Sequence, residues 1–155
     1  MPRHEQPDVS FDVPRHWDDK TLVAYASPPK DGQATAANLV MTRDTLSERE
    51  MLSDYADRQL AELARRLEGF ELVRREETTL GGVPAVALRF TSRAAAGPLL
   101  QRLIVAEGRR RSVYCFTATT PKADAAQNDP LLDRILSTVR FTFHAGGDDT
   151  EEQAS

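Results

Sequence analysis

Two hydrophobic periods divide this chain. From Ser47 to Gly69 apolar residues recur at helical spacing, Leu52, Ala56, Leu60, Leu63 and Leu67, with Tyr55 widening the stripe. Ser47 and Glu50 have the capping-box spacing, in which each side chain takes up a backbone donor, so a helix is predicted to start there. Gly69 supplies its stop. A second stripe, Leu131, Leu132, Ile135, Leu136 and Val139, follows Asp129-Pro130, read as an N-cap and a first-turn proline.

Elsewhere the period is two. Strands are predicted at Phe11–Val13 (an edge strand ended by Pro14), Thr21–Ser27, Asn38–Asp44, Phe70–Thr78, Pro84–Thr91, Leu99–Ala106 and Ser112–Thr119. Turns are expected at Pro28–Gly32, at Gly81-Gly82, where paired glycines supply positive φ, and at Gly108–Arg110. Trp17 is expected to plug one end of the core, with a polar partner for its indole. Leu99–Ala106 stands out because it is apolar on both faces: Leu99, Leu103 and Val105 share one, Leu100, Ile104 and Ala106 the other. A single antiparallel layer shows one apolar face, so both sides of this strand need a cover. Two helices are few for that task, which leaves part of the sheet for a partner. The fold class is α+β: an antiparallel β-sheet flanked by helices. The ordered domain is expected over residues 10–143, with residues 1–9 and an acidic tail, 144–155, lacking fixed structure.

Composition narrows the function classes. The net charge of −4 argues against a nucleic-acid surface. The N-terminus lacks the apolar core of a signal peptide, no run reaches membrane-spanning length, and the single Cys115 allows no disulfide framework; together these point to the cytoplasm. Catalytic groupings do not assemble. His4, His16 and His144 have no second ligand at metal spacing, and Cys115 lies in the apolar run Val113–Phe116. Asp18-Asp19 and Glu76-Glu77 read as solvated pairs, Gly81-Gly82 lacks the helix a phosphate loop needs, and Arg109–Arg111 reads as a solubilising turn. No enzyme, metal site or cofactor is expected. Two glutamines interrupt apolar stripes. Gln59 lies beside the first helix stripe and Gln101 between Leu99 and Leu103, each either satisfying a neighbouring backbone group or offering an amide to an apolar guest.

The order of features carries a resemblance. Phe11-x-Val13-Pro14-x-x-Trp17-x-Asp19-x-Thr21, Asn38–Arg43, the helical Tyr55–Leu60, the Gly81–Ala85 hairpin and Gln101-Arg102 follow one another as in the DcrB/PsbP-like superfamily. Within it, the chain is most similar to the Eag-type chaperones of type VI secretion effectors. The resemblance implies a PsbP/DcrB-like α/β/α sandwich, acting as a cytoplasmic homodimer. Its client would be the N-terminal transmembrane segments of a secreted effector, shielded in an apolar groove before export, with no stable membrane insertion. Groove residues carried over by position are Val23, Tyr25, Leu39, Met41, Leu99, Leu103 and Val105, with Gln59 and Gln101 as hydrogen-bonding positions. Leu22, Ala24, Leu100 and Ile104 are the opposite-face alternative. The other function class is a PsbP-like structural or regulatory binding module with no hydrophobic client.

Overall fold

The β-branched and aromatic runs pair into a six-stranded antiparallel sheet, and the two periodic stripes become helices on its opposite faces. The computed structural model describes residues 3–6, 9–17, 22–28 and 37–142. The acidic tail, Asp18, Asp19, Thr21 and most of the Pro28–Gly32 turn lie outside the described residues. The elements are β1 (Arg3–Gln6), β2 (Val9–Asp12), β3 (Val23–Ala26), β4 (Asn38–Thr45), α1 (Leu52–Arg66), β5 (Glu71–Leu80), β6 (Val83–Ala94), β7 (Gly97–Glu107), β8 (Ser112–Pro121) and α2 (Ala125–Ser137). The large sheet runs β3-β4-β8-β7-β6-β5. β7, the strand that is apolar on both faces, therefore sits inside it. The α+β class read from the sequence is the one observed.

Each face has its own core. Under α1, Tyr55, Ala56 and Leu63 pack on Val86, Leu88, Phe90, Leu103, Val105, Val113 and Cys115. On the other face Leu136 of α2 packs with Leu80, Val83, Ala85, Ile104 and Ala106, and Val139 and Phe141 beyond the helix close over them. So the C-terminal half of β7 is covered twice, Leu103 and Val105 by α1, Ile104 and Ala106 from the α2 side. The two helices suffice there, contrary to the sequence expectation. On the α1 face the other end of β7 and the strands beyond β8 stay partly exposed, whereas on the α2 face Leu39 and Phe116 pack against the second core.

Several local expectations are corrected. The Ser47–Glu50 pair does bond, Ser47 N–H to Glu50 Oε1 at 2.9 Å, but it closes a turn that precedes the helix. The helix starts at Leu52, where Met51 N–H donates to Asp54 Oδ2 at 3.0 Å. Arg49, with φ 64°, makes the chain reverse between the two. Helix α2 starts a turn before the predicted Asp129 cap; Pro130 lies inside it, and Asp129 is occupied by arginines of the sheet. Residues 3–6, expected without structure, pair with β2 in a separate two-stranded sheet, so Phe11-Asp12 joins that hairpin and not the main sheet. Trp17 is 64 % exposed and plugs nothing. Gly81 and Gly82, with φ 58° and 86°, make the predicted two-residue turn. A Cβ on Gly81 would also lie 2.9 Å from the Val139 carbonyl, so the C-terminal segment packs only against a glycine there.

Candidate functional site

Strand alternation decides which residues can meet. On β7, Leu99, Gln101, Leu103 and Val105 face α1. Their register through β8 (Gln101 to Thr119, Leu103 to Thr117, Val105 to Cys115) and on to β4 (Asn38 to Thr119, Val40 to Thr117, Thr42 to Cys115) puts Asn38, Val40 and Thr42 on that same side. Leu39 and Met41 fall on the α2 face, and with them their β3 partners Tyr25 and Val23. The expected groove set is thus split. Leu99, Gln101, Leu103 and Val105 share one face with Gln59 of α1, and Val23, Tyr25, Leu39 and Met41 lie on the other. The physical reason is the period of two: shifting by one residue on β3 and β4 moves every side chain through the sheet. The α1-face counterparts there are Ala24, Val40 and Thr42, of which the opposite-face alternative had named Ala24. Of the rest of that alternative, Leu100 and Ile104 face α2.

On the α1 face a cleft of about 480 Å³ opens between the helix and β4, β8 and β7. Tyr55, Gln59, Leu63 and Arg66, three to four residues apart on α1, form its wall; Thr42, Cys115, Thr117, Gln101 and Leu103 form its floor, and Phe90 and Leu67 its end. The two glutamines singled out by the sequence line one cavity. Leu103 is only 6 % exposed and Val105 fully buried, so Leu103 contributes only a margin of the floor and Val105 is core. Leu99 and Gln101 are half-buried and reachable.

The floor is more polar than an apolar groove requires. Ser92 Oγ donates to Gln101 Oε1 at 2.6 Å, and Gln101 Nε2 donates to Thr119 Oγ1 at 3.2 Å. At the other end of the cleft Tyr55 Oη donates to Asp44 Oδ2 at 2.8 Å and lies 3.2 Å from Cys115 Sγ. Burial pushes the Tyr55 hydroxyl far up, and burial also raises the Cys115 thiol, so both stay protonated at neutral pH. A buried protonated thiol is a small hydrophobe, not a nucleophile. Arg58 sits 4.9 Å over the Tyr55 ring and bonds Glu50, whose carboxyl its guanidinium holds down at about 2. These contacts brace the start of α1 against the sheet.

A second cleft, about 690 Å³, lies on the α2 face beside the edge strand β5. It is spanned by charge. Arg102, its side chain 11 % exposed, bonds Asp129 at 2.8 Å and also Asp133, while Arg89 reaches Asp129 at 3.0 Å. These pairs tie α2 to β6 and β7 and leave that cleft unsuited to an apolar guest. Among the described residues, no cluster of three or more His, Cys, Asp or Glu is placed to hold a metal ion, and no helix is long and apolar enough to cross a membrane.

Sequence reasoning missed four positions. Ser92 and Thr119 flank Gln101 only through cross-strand register, which no local pattern reveals. Arg102, named from the sequence only within the Gln101-Arg102 pair, is the anchor for α2. Arg111, assigned to a solubilising turn, donates to the carbonyls of Ser47 and Glu50 and holds the turn before α1.

Comparison with known proteins matches this architecture. The chain is 28 % identical over 132 residues to a Pseudomonas aeruginosa protein named Effector EagT6, covering 85 % of this chain and 90 % of that one. Among solved structures it is similar to PA94 of Pseudomonas aeruginosa, a protein of unknown function, at TM-score 0.74 and 27 % identity, over 90 % of this chain and 95 % of the other. A cyanobacterial PsbP from Synechocystis shares the fold at TM-score 0.51 and 13 % identity, over 88 % and 89 % of the two chains. The DcrB family profile matches residues 8–138, nearly all of the sheet and both helices, and so the chain belongs to the DcrB family.

Proposed function

We propose that this protein is an effector-associated chaperone that holds N-terminal transmembrane helices of a type VI secretion effector against the α1 face of its sheet before export. The observation that carries the reading is the cleft itself. It has two amides, Gln59 of the wall and Gln101 of the floor, in one lining with Leu63, Leu67, Phe90 and Leu103, on a sheet face that continues over half-buried Val40 and exposed Ala24. A spanning helix of about 20 apolar residues aggregates in water, and a receptor for it needs exposed apolar surface that ordinary monomers avoid. A helix laid in a groove meets that need, with a few polar groups to fix its register. The likeness to Effector EagT6 supports an association with effectors. On this reading the protein works in the cytoplasm as a homodimer, and it is an adaptor, not an enzyme.

The test is co-expression with the apolar N-terminal segment of an effector encoded beside it. The soluble yield of that segment is expected to rise with the protein present and to fall back with Leu99→Asp, which places a carboxylate on the half-buried stretch of β7 next to the cleft floor. Equal yield with and without the protein overturns the reading and favours a binding module with no hydrophobic client.

A further inference from the structure

Gln101 is not a lone amide on the floor of the cleft; it is held from both sides. Ser92, 5 % exposed on β6, bonds its Oε1, and Thr119 on β8 bonds its Nε2. A primary amide has two N–H donors and two acceptor lone pairs, and these contacts use one of each. The hydroxyls of Ser92 and Thr119 both donate and accept, so either setting of the amide can be satisfied by them. In both settings one N–H and one lone pair remain. Gln101 lines the cleft, so the remaining pair is available to whatever fills it.

We propose that Ser92 and Thr119 are positioning residues that hold the Gln101 amide in the cleft floor, so that it selects apolar helices bearing a Ser or Thr hydroxyl over wholly aliphatic ones. The proposal rests on the client-helix reading above. The physical argument is one of entropy and desolvation. A free glutamine side chain loses close to its full rotamer entropy when it binds, whereas one already fixed by two strands does not. A half-buried amide whose last donor and acceptor are covered by an aliphatic helix loses its water without replacement, which disfavours that guest. The arrangement also accounts for Ser92, a buried hydroxyl otherwise surplus to a β6 face of Val86, Leu88 and Phe90.

Two labelled peptides test this: lysine-flanked Leu-Ala helices of about 20 residues, identical except for Ser or Ala at the central position, titrated with full-length protein by fluorescence anisotropy. The native protein is expected to prefer the Ser peptide about fivefold, the size of one net hydrogen bond. Thr119→Val and Ser92→Ala are expected to bind both peptides as the native protein binds the Ala peptide, while Thr119→Ser keeps the preference. Thr119 is half-buried, so Thr119→Val tests the idea even where Ser92→Ala unfolds. The proposal is overturned if Thr119→Val, folded by its thermal melt, keeps the preference, or if it loses affinity for both peptides in parallel. A native protein that binds both peptides equally also sinks it and leaves the client reading standing. If the native protein binds neither, the client reading itself fails and takes this one with it.

Discussion

The α1 face of the sheet has two halves built from the same strands, and they behave as opposites. Beneath the helix, Leu88, Phe90, Val105 and Val113 are sealed and wholly apolar. A few residues further along the same strands, β7 and β8 present Leu99, Gln101, Thr117 and Thr119, with Val40 and Thr42 beside them on β4, all half-buried. The boundary follows α1, whose body packs on β6 and β7 and which reaches β4 through the Tyr55 hydroxyl on Asp44. The difference teaches that the site is not a defect in the core but its continuation. The sealed half is all apolar contact, and the open half carries hydroxyl and amide groups that bond one another across the strands.

The sharpest way to break the comparison uses one strand. Leu103→Asp places a carboxylate where exposure is 6 % and is expected to cost more than about 3 kcal/mol, unfolding much of the protein. Leu99→Asp, four residues away on the same face, is expected to cost less than about 1 kcal/mol while abolishing capture. Urea denaturation beside client pull-down separates the two, and equal stability losses would erase the boundary. Next in size, Leu88→Ala is expected to lose about 3 kcal/mol and Val40→Ala about 1 kcal/mol or less, read from denaturation midpoints. Tyr55→Phe removes the hydroxyl that joins α1 to Asp44 and is expected to cost about 1–2 kcal/mol.

The smallest effect is a pH dependence at the start of α1. The Glu50 carboxyl is held down from 4.5 to about 2 by its bonds to Arg58 and the Ser47 backbone. A depressed carboxyl contributes stability that is fully present above the unfolded value and is lost as pH falls through the folded one. Glu50→Gln should therefore flatten the fall in melting temperature between pH 4.5 and about 2 while changing little at pH 7. The pair is half exposed on the arginine side, so the contribution stays under about 1 kcal/mol. An unchanged acid limb would remove Glu50 from the brace.

Much of the fold was legible because it rests on local periods. The stripe from Leu52 to Leu67 predicts α1, the paired glycines predict the β5–β6 turn, and alternation along Leu99–Ala106 predicts a strand needing cover on both sides. Helix starts were misplaced by a turn, since a capping pattern also describes the separate turn at Ser47–Glu50, and Asp129 bonds sheet arginines that local sequence does not indicate. The site was half legible. Gln59 and Gln101 are polar residues within apolar stripes, a signal that a sequence carries openly, and the structure brings them to one cleft. Val23, Tyr25, Leu39 and Met41 lie on the opposite face from Gln101, a split the sequence does not show, because alternation tells which residues share a face within a strand but not which face of the next strand joins it.

The sequence by itself determined the strands of the main sheet and the two helices, the α+β class, the family and the two amides, since periodicity, turn residues and short motifs act over a few neighbouring positions. Only the tertiary structure decided which face of β3 and β4 lies beside Gln101, how far α1 reaches over it, and that Ser92 and Thr119 hold its amide. Those are matters of register between strands remote in sequence, where a shift of one residue turns a face over.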